Sequence, residues 1–338
     1  MTRPVALALR ALGLGDFLTG LPALSLLRQT LPDHAMVLAA PVVFTPLVPY
    51  VAAIDHLVPT GELMPVDRSY AGVDVAVDLH GKGPESRQLL AALQPVRLVG
   101  FADPAAGFPG PPWYAAEHEV ARWCRLVATA FELGPAPWPG VAGAVEVPPV
   151  DVVEGLTLVH PGAAAASRRW PPDRFAKVAA QLSREGHRVV ITGGPAERPL
   201  AERVAATSGL PTMLDLSLLD LLGTVAAARL VVCGDTGIGH VASNYRTPSV
   251  LLFGPVRPAE WGPPEDPVHR VLFVGDGTGD PHGTDPDPAL LRITVPEVLD
   301  AVHAVLDVVE TERWADPGGT TPRTPRMRGS LPVGQGST

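Results

Sequence analysis

Four short stretches concentrate the residue types that chemistry needs, and each follows an apolar run. The first is Gly13-Leu14-Gly15-Asp16, after Val5-Ala6-Leu7-Ala8-Leu9. A carboxylate there can serve as a general base facing a cleft, or it can cap helix amides and the helix dipole. It is not a dinucleotide fingerprint, because G-x-G-x-x-G would need glycine at Leu18. The second is Ser167-Arg168-Arg169-Trp170, in the loop after the apolar residues 156–160. Two arginines ahead of a helix start make an anion site, or else a solvated basic turn, and Trp170 can be a packing anchor.

The third stretch is Gly193-Gly194-Pro195-Ala196-Glu197. The glycines admit a ligand close to the backbone, and Glu197 can accept hydrogen bonds from a ribose or simply favour a helix start. The fourth is Asp235-Thr236-Gly237-Ile238-Gly239-His240. The Thr236 hydroxyl and the amides after it suit a phosphate, while His240 falls one turn into the next helix. A lone histidine is often structural, but this one keeps reactive company. His80-Gly81-Lys82-Gly83 closes a further apolar run.

These stretches need elements to hold them. Residues 5–9, 36–40, 73–79 and 96–101 read as strands, and residues 17–29 and 86–93 as helices, the first despite Pro22. In the second half, residues 156–160, 188–192, 230–233 and 249–253 read as strands. Residues 172–185 and 218–228 read as helices, the latter opened by the capping pair Ser217 and Asp220, and Pro195 opens another. Strand, turn and helix in repetition mean right-handed crossovers and doubly wound α/β sheets. Five prolines crowd residues 134–149, where the interdomain linker is expected. The expected organisation is an N-terminal domain over residues 1–140 and a second over 150–294. A helix over 295–314 and a disordered tail over 315–338 follow.

The 338 residues suit two domains. The net charge of −9 argues against a nucleic-acid binder, which needs a basic face. Two cysteines, Cys124 and Cys233, make no disulfide framework and fit a reducing cytoplasm. No secretory signal is readable, and the uncharged residues 35–54 are cut by Pro41, Pro46 and Pro49, which disfavours a membrane span. No metal-ligand spacing is evident.

Taken in order, the motifs resemble glycosyltransferase family 9, the ADP-heptose:lipopolysaccharide heptosyltransferases and their relatives. Arg10 through Asp16 with Pro22-Ala23-Leu24 resembles the family's R-x-x-x-x-G-D … P-A-L, and His160-Pro161-Gly162 through Arg169-Trp170-Pro171 its H-P-G … K-x-W-P. Gly193 to Glu197 is similar to G-G-P-x-E, Asp235 to Ala242 to D-[ST]-G-x-x-H-x-A, and Phe253-Gly254-Pro255 to F-G-P.

The resemblance implies a GT-B architecture, two Rossmann-like domains facing a central cleft. It implies an inverting transfer of a sugar, heptose by family default, from an ADP-sugar to a hydroxyl of a glycan, lipid-linked or small-molecule acceptor. No cofactor or metal is implied beyond the donor. Asp16 becomes the candidate base. Arg168, Arg169, Gly193, Gly194, Glu197, Asp235, Thr236, Gly237 and His240 become the candidate donor contacts, and Gly15, His80 and Lys82 the candidate acceptor contacts. Peripheral membrane association through the acceptor is implied as well. Arg168 stands where the family has lysine, which replaces a point charge with a fork. The alternatives are a GT-B enzyme with a UDP- or GDP-sugar donor, an epimerase, or a non-catalytic nucleotide-sugar-binding protein.

Overall fold

The computed structural model describes residues 3–134 and 143–315. The N-terminal part runs β1 (Val5–Leu9), α1 (Leu14–Thr30), β2 (Ala35–Ala40), a 3-10 helix (Val42–Tyr50) and β3 (His56–Pro59). It continues through β4 (Val75–Asp78), α2 (Glu85–Ala91), β5 (Arg97–Val99) and α3 (Glu119–Ala130). Its five strands are all parallel, in the order β3-β2-β1-β4-β5. The C-terminal part begins with β6 (Thr157–His160), α4 (Pro172–Arg184), β7 (Val189–Gly193), α5 (Arg198–Ser208), β8 (Thr212–Leu214) and α6 (Leu218–Ala226). It ends with β9 (Leu230–Gly234), α7 (Gly237–Asn244), β10 (Ser249–Phe253), α8 (Pro258–Trp261), β11 (His269–Phe273), α9 (Pro288–Arg292) and α10 (Val295–Ala315). Its six parallel strands lie in the order β11-β10-β9-β6-β7-β8.

Both sheets start at their centre and wind outward in both directions, the Rossmann arrangement. The central strands are covered on both faces, so β6, β9 and β10 are buried throughout. Helix α4 buries Phe175, Val178, Ala179 and Leu182 on one stripe. Helix α10 lays Val298, Val302 and Val305 into the same core. Helix α1 is different. It buries Phe17 through Leu24 without a break, because α3 packs on it from its own half and α7 from the other. One hydrophobic core therefore runs across both halves, joining Leu18 and Leu21 of α1 and Phe44 of the 3-10 helix to Ile238 and Val241 of α7.

The expected strands and helices are present with ends shifted by a few residues. Residues 42–50 form a 3-10 rather than an α-helix, with Pro46 and Pro49 inside it. Pro195 opens a 3-10 turn, and α5 starts only at Arg198. Sequence reasoning missed β3, β8, β11 and α3. The three strands are sheet edges with exposed or half-buried positions, which blurs alternation. Much of the expected linker, residues 135–142, and the tail from residue 316 lie outside the described residues, while Ala315 closes α10. Beyond that gap, Asn244 holds the chain. Its Oδ1 accepts from the Val145 amide and its Nδ2 donates to the Val145 carbonyl, both at 3.0 Å.

Candidate active site

In open α/β sheets the ligand crevice lies beyond the strand ends, where the winding direction reverses. Those points fall between β1 and β4 in one half and between β6 and β9 in the other. Asp16 follows β1, His80 follows β4, Arg168 follows β6 and Asp235 follows β9.

The starts of α1 and α7 meet. A Cβ on Gly15 would come 2.8 Å from His240 Cδ2, and one on Gly237 would come 3.2 Å from Leu14 Cβ. Both positions need glycine for this approach, and two helix N-termini, each rich in free amides, converge as a result.

On the N-terminal wall, Asp16 sits in the first turn of α1, whose N-cap Gly13 offers no side chain. Arg10, fully buried at 1% exposure, lies beneath it. Its Nη2 is 3.3 Å from Asp16 Oδ1, 3.1 Å from Thr19 Oγ1 and 2.9 Å from Glu119 Oε1. Its Nη1 donates to the Leu79 carbonyl at 2.5 Å, and its Nε donates to the Asp16 carbonyl. Burial raises the Asp16 pKa above the usual aspartate value against the opposing charge of Arg10, and Glu119 adds to the rise. A carboxylate made more basic in this way is what a general base requires.

Glu119, Arg122 and Trp123 of α3 complete this cluster. Trp123 Nε1 donates to Glu119 Oε1 at 2.7 Å, and Arg122 pairs with Glu119 Oε2. Arg122 Nη2 also reaches the carbonyls of Tyr114, Ala115 and Glu117. Sequence reasoning missed all three, although α3 carries an apolar stripe of Val120, Trp123, Cys124 and Val127 at helical spacing. A close succession of Glu119, Arg122 and Trp123 at helical spacing was the signal available.

On the C-terminal wall, Arg168 Nη1 is 3.7 Å from Asp235 Oδ2. Burial raises the Asp235 pKa, Arg168 opposes that, and Asp16 across the gap adds to it. Arg168 Nε and Ser167 Oγ are buried with no hydrogen-bond partner among the described residues. Buried polar atoms are almost always paired, so this loop has donors to offer an acceptor. Thr236 is the N-cap of α7 and its side chain caps nothing, which leaves the hydroxyl free. Burial holds the His240 pKa down at about 4, so the ring is uncharged at neutral pH.

Burial would raise the Glu197 pKa, but the His160 ring 3.3 Å from its Oε2 and the Gly194 amide at 2.9 Å prevail and hold it at about 2. His160 is itself steadied by Thr192 Oγ1 at 3.1 Å. Two expected donor contacts are otherwise engaged. Arg169 gives its Nε to the Ala163 carbonyl at 2.9 Å and shapes its own loop. Gly193 lets α5 close on β7, since a Cβ there would lie 3.1 Å from Ala201 Cβ.

His80 Nδ1 accepts from the Ala11 amide at 3.2 Å, which leaves the proton on Nε2. Lys82 is exposed and makes no ion pair among the described residues. Behind His240 the halves enclose a cavity of about 610 Å³, lined by Thr19, Val120, Ala121, His240, Ser243 and Pro263 among others. His118 Nε2 spans the halves to the Gly262 carbonyl at 3.1 Å. Among the described residues no three His, Cys, Asp or Glu side chains gather as metal ligands. No described helix is long and apolar enough to cross a membrane.

Two Rossmann-like domains facing across such a crevice define the GT-B architecture. Solved structures share it: Escherichia coli ADP-heptose lipopolysaccharide heptosyltransferase II superimposes with a TM-score of 0.73 at 21% identity, covering 90% of this chain and 99% of that one. An E. coli heptosyltransferase solved with ADP gives 0.70 at 20%, over 88% and 98%. At these identities the likeness is one of fold.

Residues 112–274, just under half of the chain, match glycosyltransferase family 9 (heptosyltransferase), the family its ordered motifs resemble. Lipopolysaccharide heptosyltransferase 2 of Salmonella typhimurium is 28% identical over 151 residues, 41% of this chain and 43% of that protein. Lipopolysaccharide heptosyltransferase 1 of Pseudomonas aeruginosa is 32% identical over 153 residues, 43% and 42% respectively. The alignments thus span less than half the length of these curated relatives.

Proposed function

We propose that this protein is an inverting glycosyltransferase that moves a sugar from an ADP-sugar to a hydroxyl of a glycan acceptor. The names of the relatives, lipopolysaccharide heptosyltransferases, support heptose as the sugar and a lipopolysaccharide glycan as the acceptor. The observation that supports this reading is the pairing of walls: a half-buried carboxylate at Asp16, its pKa raised by desolvation, faces an anion-ready loop at Arg168 across two touching helix starts.

In this reading the acceptor hydroxyl attacks the anomeric carbon from the side opposite the ADP. The C–O bond to the diphosphate breaks, configuration inverts once, and Asp16 takes the proton. Negative charge grows on the diphosphate as the bond breaks. Arg168 and the first amides of α7 are fixed there in advance, which is where such charge is stabilised most. Glu197 keeps Oε1 for the ribose while Oε2 is held by Gly194 and His160. His80 presents an Nε2 proton on the acceptor side.

Asp16→Asn tests the reading. Transfer should fall by at least about a thousandfold, the general-base contribution plus the loss of proton balance. Thermal-shift binding of ADP-sugar should persist, because ligands that bind the native state still raise its stability. Transfer near the wild-type rate overturns Asp16 as the base. Stronger stabilisation by UDP- or GDP-sugars overturns the ADP donor.

A further inference from the structure

We propose that Glu119 is a positioning residue that keeps Arg10 from pairing fully with Asp16, so that the carboxylate stays basic enough to take the acceptor proton. This rests on Asp16 being the base.

The geometry carries it. Arg10 Nη2 lies 2.9 Å from Glu119 Oε1 but 3.3 Å from Asp16 Oδ1, so the one buried cation beneath the base is nearer to another acid. Both Glu119 oxygens are themselves fixed, Oε1 by the Trp123 indole and Oε2 by Arg122. Arg122 is anchored by three backbone carbonyls, and Arg10 by those of Leu79 and Asp16. Arg10 cannot slide toward Asp16 while this lattice stands. An arginine given wholly to Asp16 would hold the carboxylate in its charged form and make it a poor proton acceptor. The direction found for Asp16 agrees, with Glu119 raising its pKa and Arg10 lowering it.

Other charged or titratable groups face Asp16 as well: His80 from the loop after β4, and Asp235 and His240 from the start of α7, with Arg168 behind Asp235. Glu119 reaches Asp16 from the opposite side, through Arg10; of those groups only His240 also feels its charge, and that ring is held uncharged by burial.

The test follows kcat for transfer from ADP-heptose to heptose-free lipopolysaccharide core between about pH 5 and pH 9, in wild type and Glu119→Gln. The acid limb should move down by about one pH unit in the variant, as expected when a neighbouring charge is removed. The plateau should fall by less than about tenfold, with KM unchanged. A lower plateau with an unmoved acid limb means that Glu119 only holds the fold, and overturns the proposal. The ¹³C signal of the Asp16 carboxyl, assigned by its loss in Asp16→Asn, gives the same midpoint without turnover. It should drop in Glu119→Gln, and an unchanged midpoint is equally fatal.

If Glu119→Gln does not fold, Glu119→Asp keeps the charge but withdraws it from Arg10 by one methylene. A smaller shift in the same direction is then expected, and none overturns the proposal. Should Asp16→Asn transfer normally, the base assignment fails alone, because the carboxyl midpoint still reports what Glu119 does to Asp16.

Discussion

The two walls of the crevice are built from the same strand-turn-helix unit, yet they treat their arginines in opposite ways. On the N-terminal wall Arg10 is buried and spends its guanidinium on two carboxylates, a hydroxyl and two carbonyls. On the C-terminal wall Arg168 has one long contact with Asp235 and a buried Nε that meets nothing among the described residues. A wall that supplies a base must be finished before substrate arrives. A wall that receives an anion must hold hydrogen-bonding capacity in reserve.

The sharpest way to break this contrast is to remove each arginine and measure stability by urea denaturation. Arg10→Ala leaves Glu119 and Asp16 buried without their shared cation, and should cost about 3–5 kcal/mol. Arg168→Ala should cost under about 1.5 kcal/mol, because its pair is long and Asp235 can take up a proton instead. Equal losses would mean that the walls do not differ.

Glu197 sharpens the comparison from within the C-terminal wall, since its carboxylate is already satisfied. Its folded pKa of about 2 lies below the ordinary glutamate value of 4.5. It therefore contributes stability that is present above about pH 4.5 and lost as pH falls through about 2. The contribution at neutral pH should be on the order of 2–3 kcal/mol, shared with His160. Urea midpoints of wild type and Glu197→Gln should differ at pH 7 and converge toward pH 2. A constant gap would show that Glu197 is not held in its charged form.

The smallest effect concerns the reserve itself. Arg168→Ala should weaken ADP-sugar binding by roughly 10- to 100-fold, the range for charge-assisted hydrogen bonds. Isothermal titration measures it, and unchanged affinity would mean that the orphaned Nε faces no ligand.

Much of this was legible in the sequence. The central strands read as unbroken apolar runs because they are covered on both faces, and the turns after them carry Asp16, Arg168 and Asp235 in plain sight. The resemblance to family 9 added their order. What stayed hidden depends on distance or on disguise. Arg10 and Glu119 are 109 residues apart, and no local pattern announces their pairing. Helix α3 carries a clear apolar stripe, but Glu119 and Arg122 beside it read as solvated charges, because nothing local shows that they are buried. Strands β3, β8 and β11 are short edges whose residues face both core and solvent. Arg169 gives its Nε to its own loop, a contact that its residue type alone does not announce.

The contact between the starts of α1 and α7 has a mechanical consequence. With hydrogen atoms as the only side chains at Gly15 and Gly237, the joint has a clearance smaller than one methyl group. A side chain at Gly15 becomes a spacer driven against the His240 ring, and one at Gly237 pushes the Leu14 side chain back by a few tenths of an ångström. The width of the crevice is thus set at the thinnest joint between its walls.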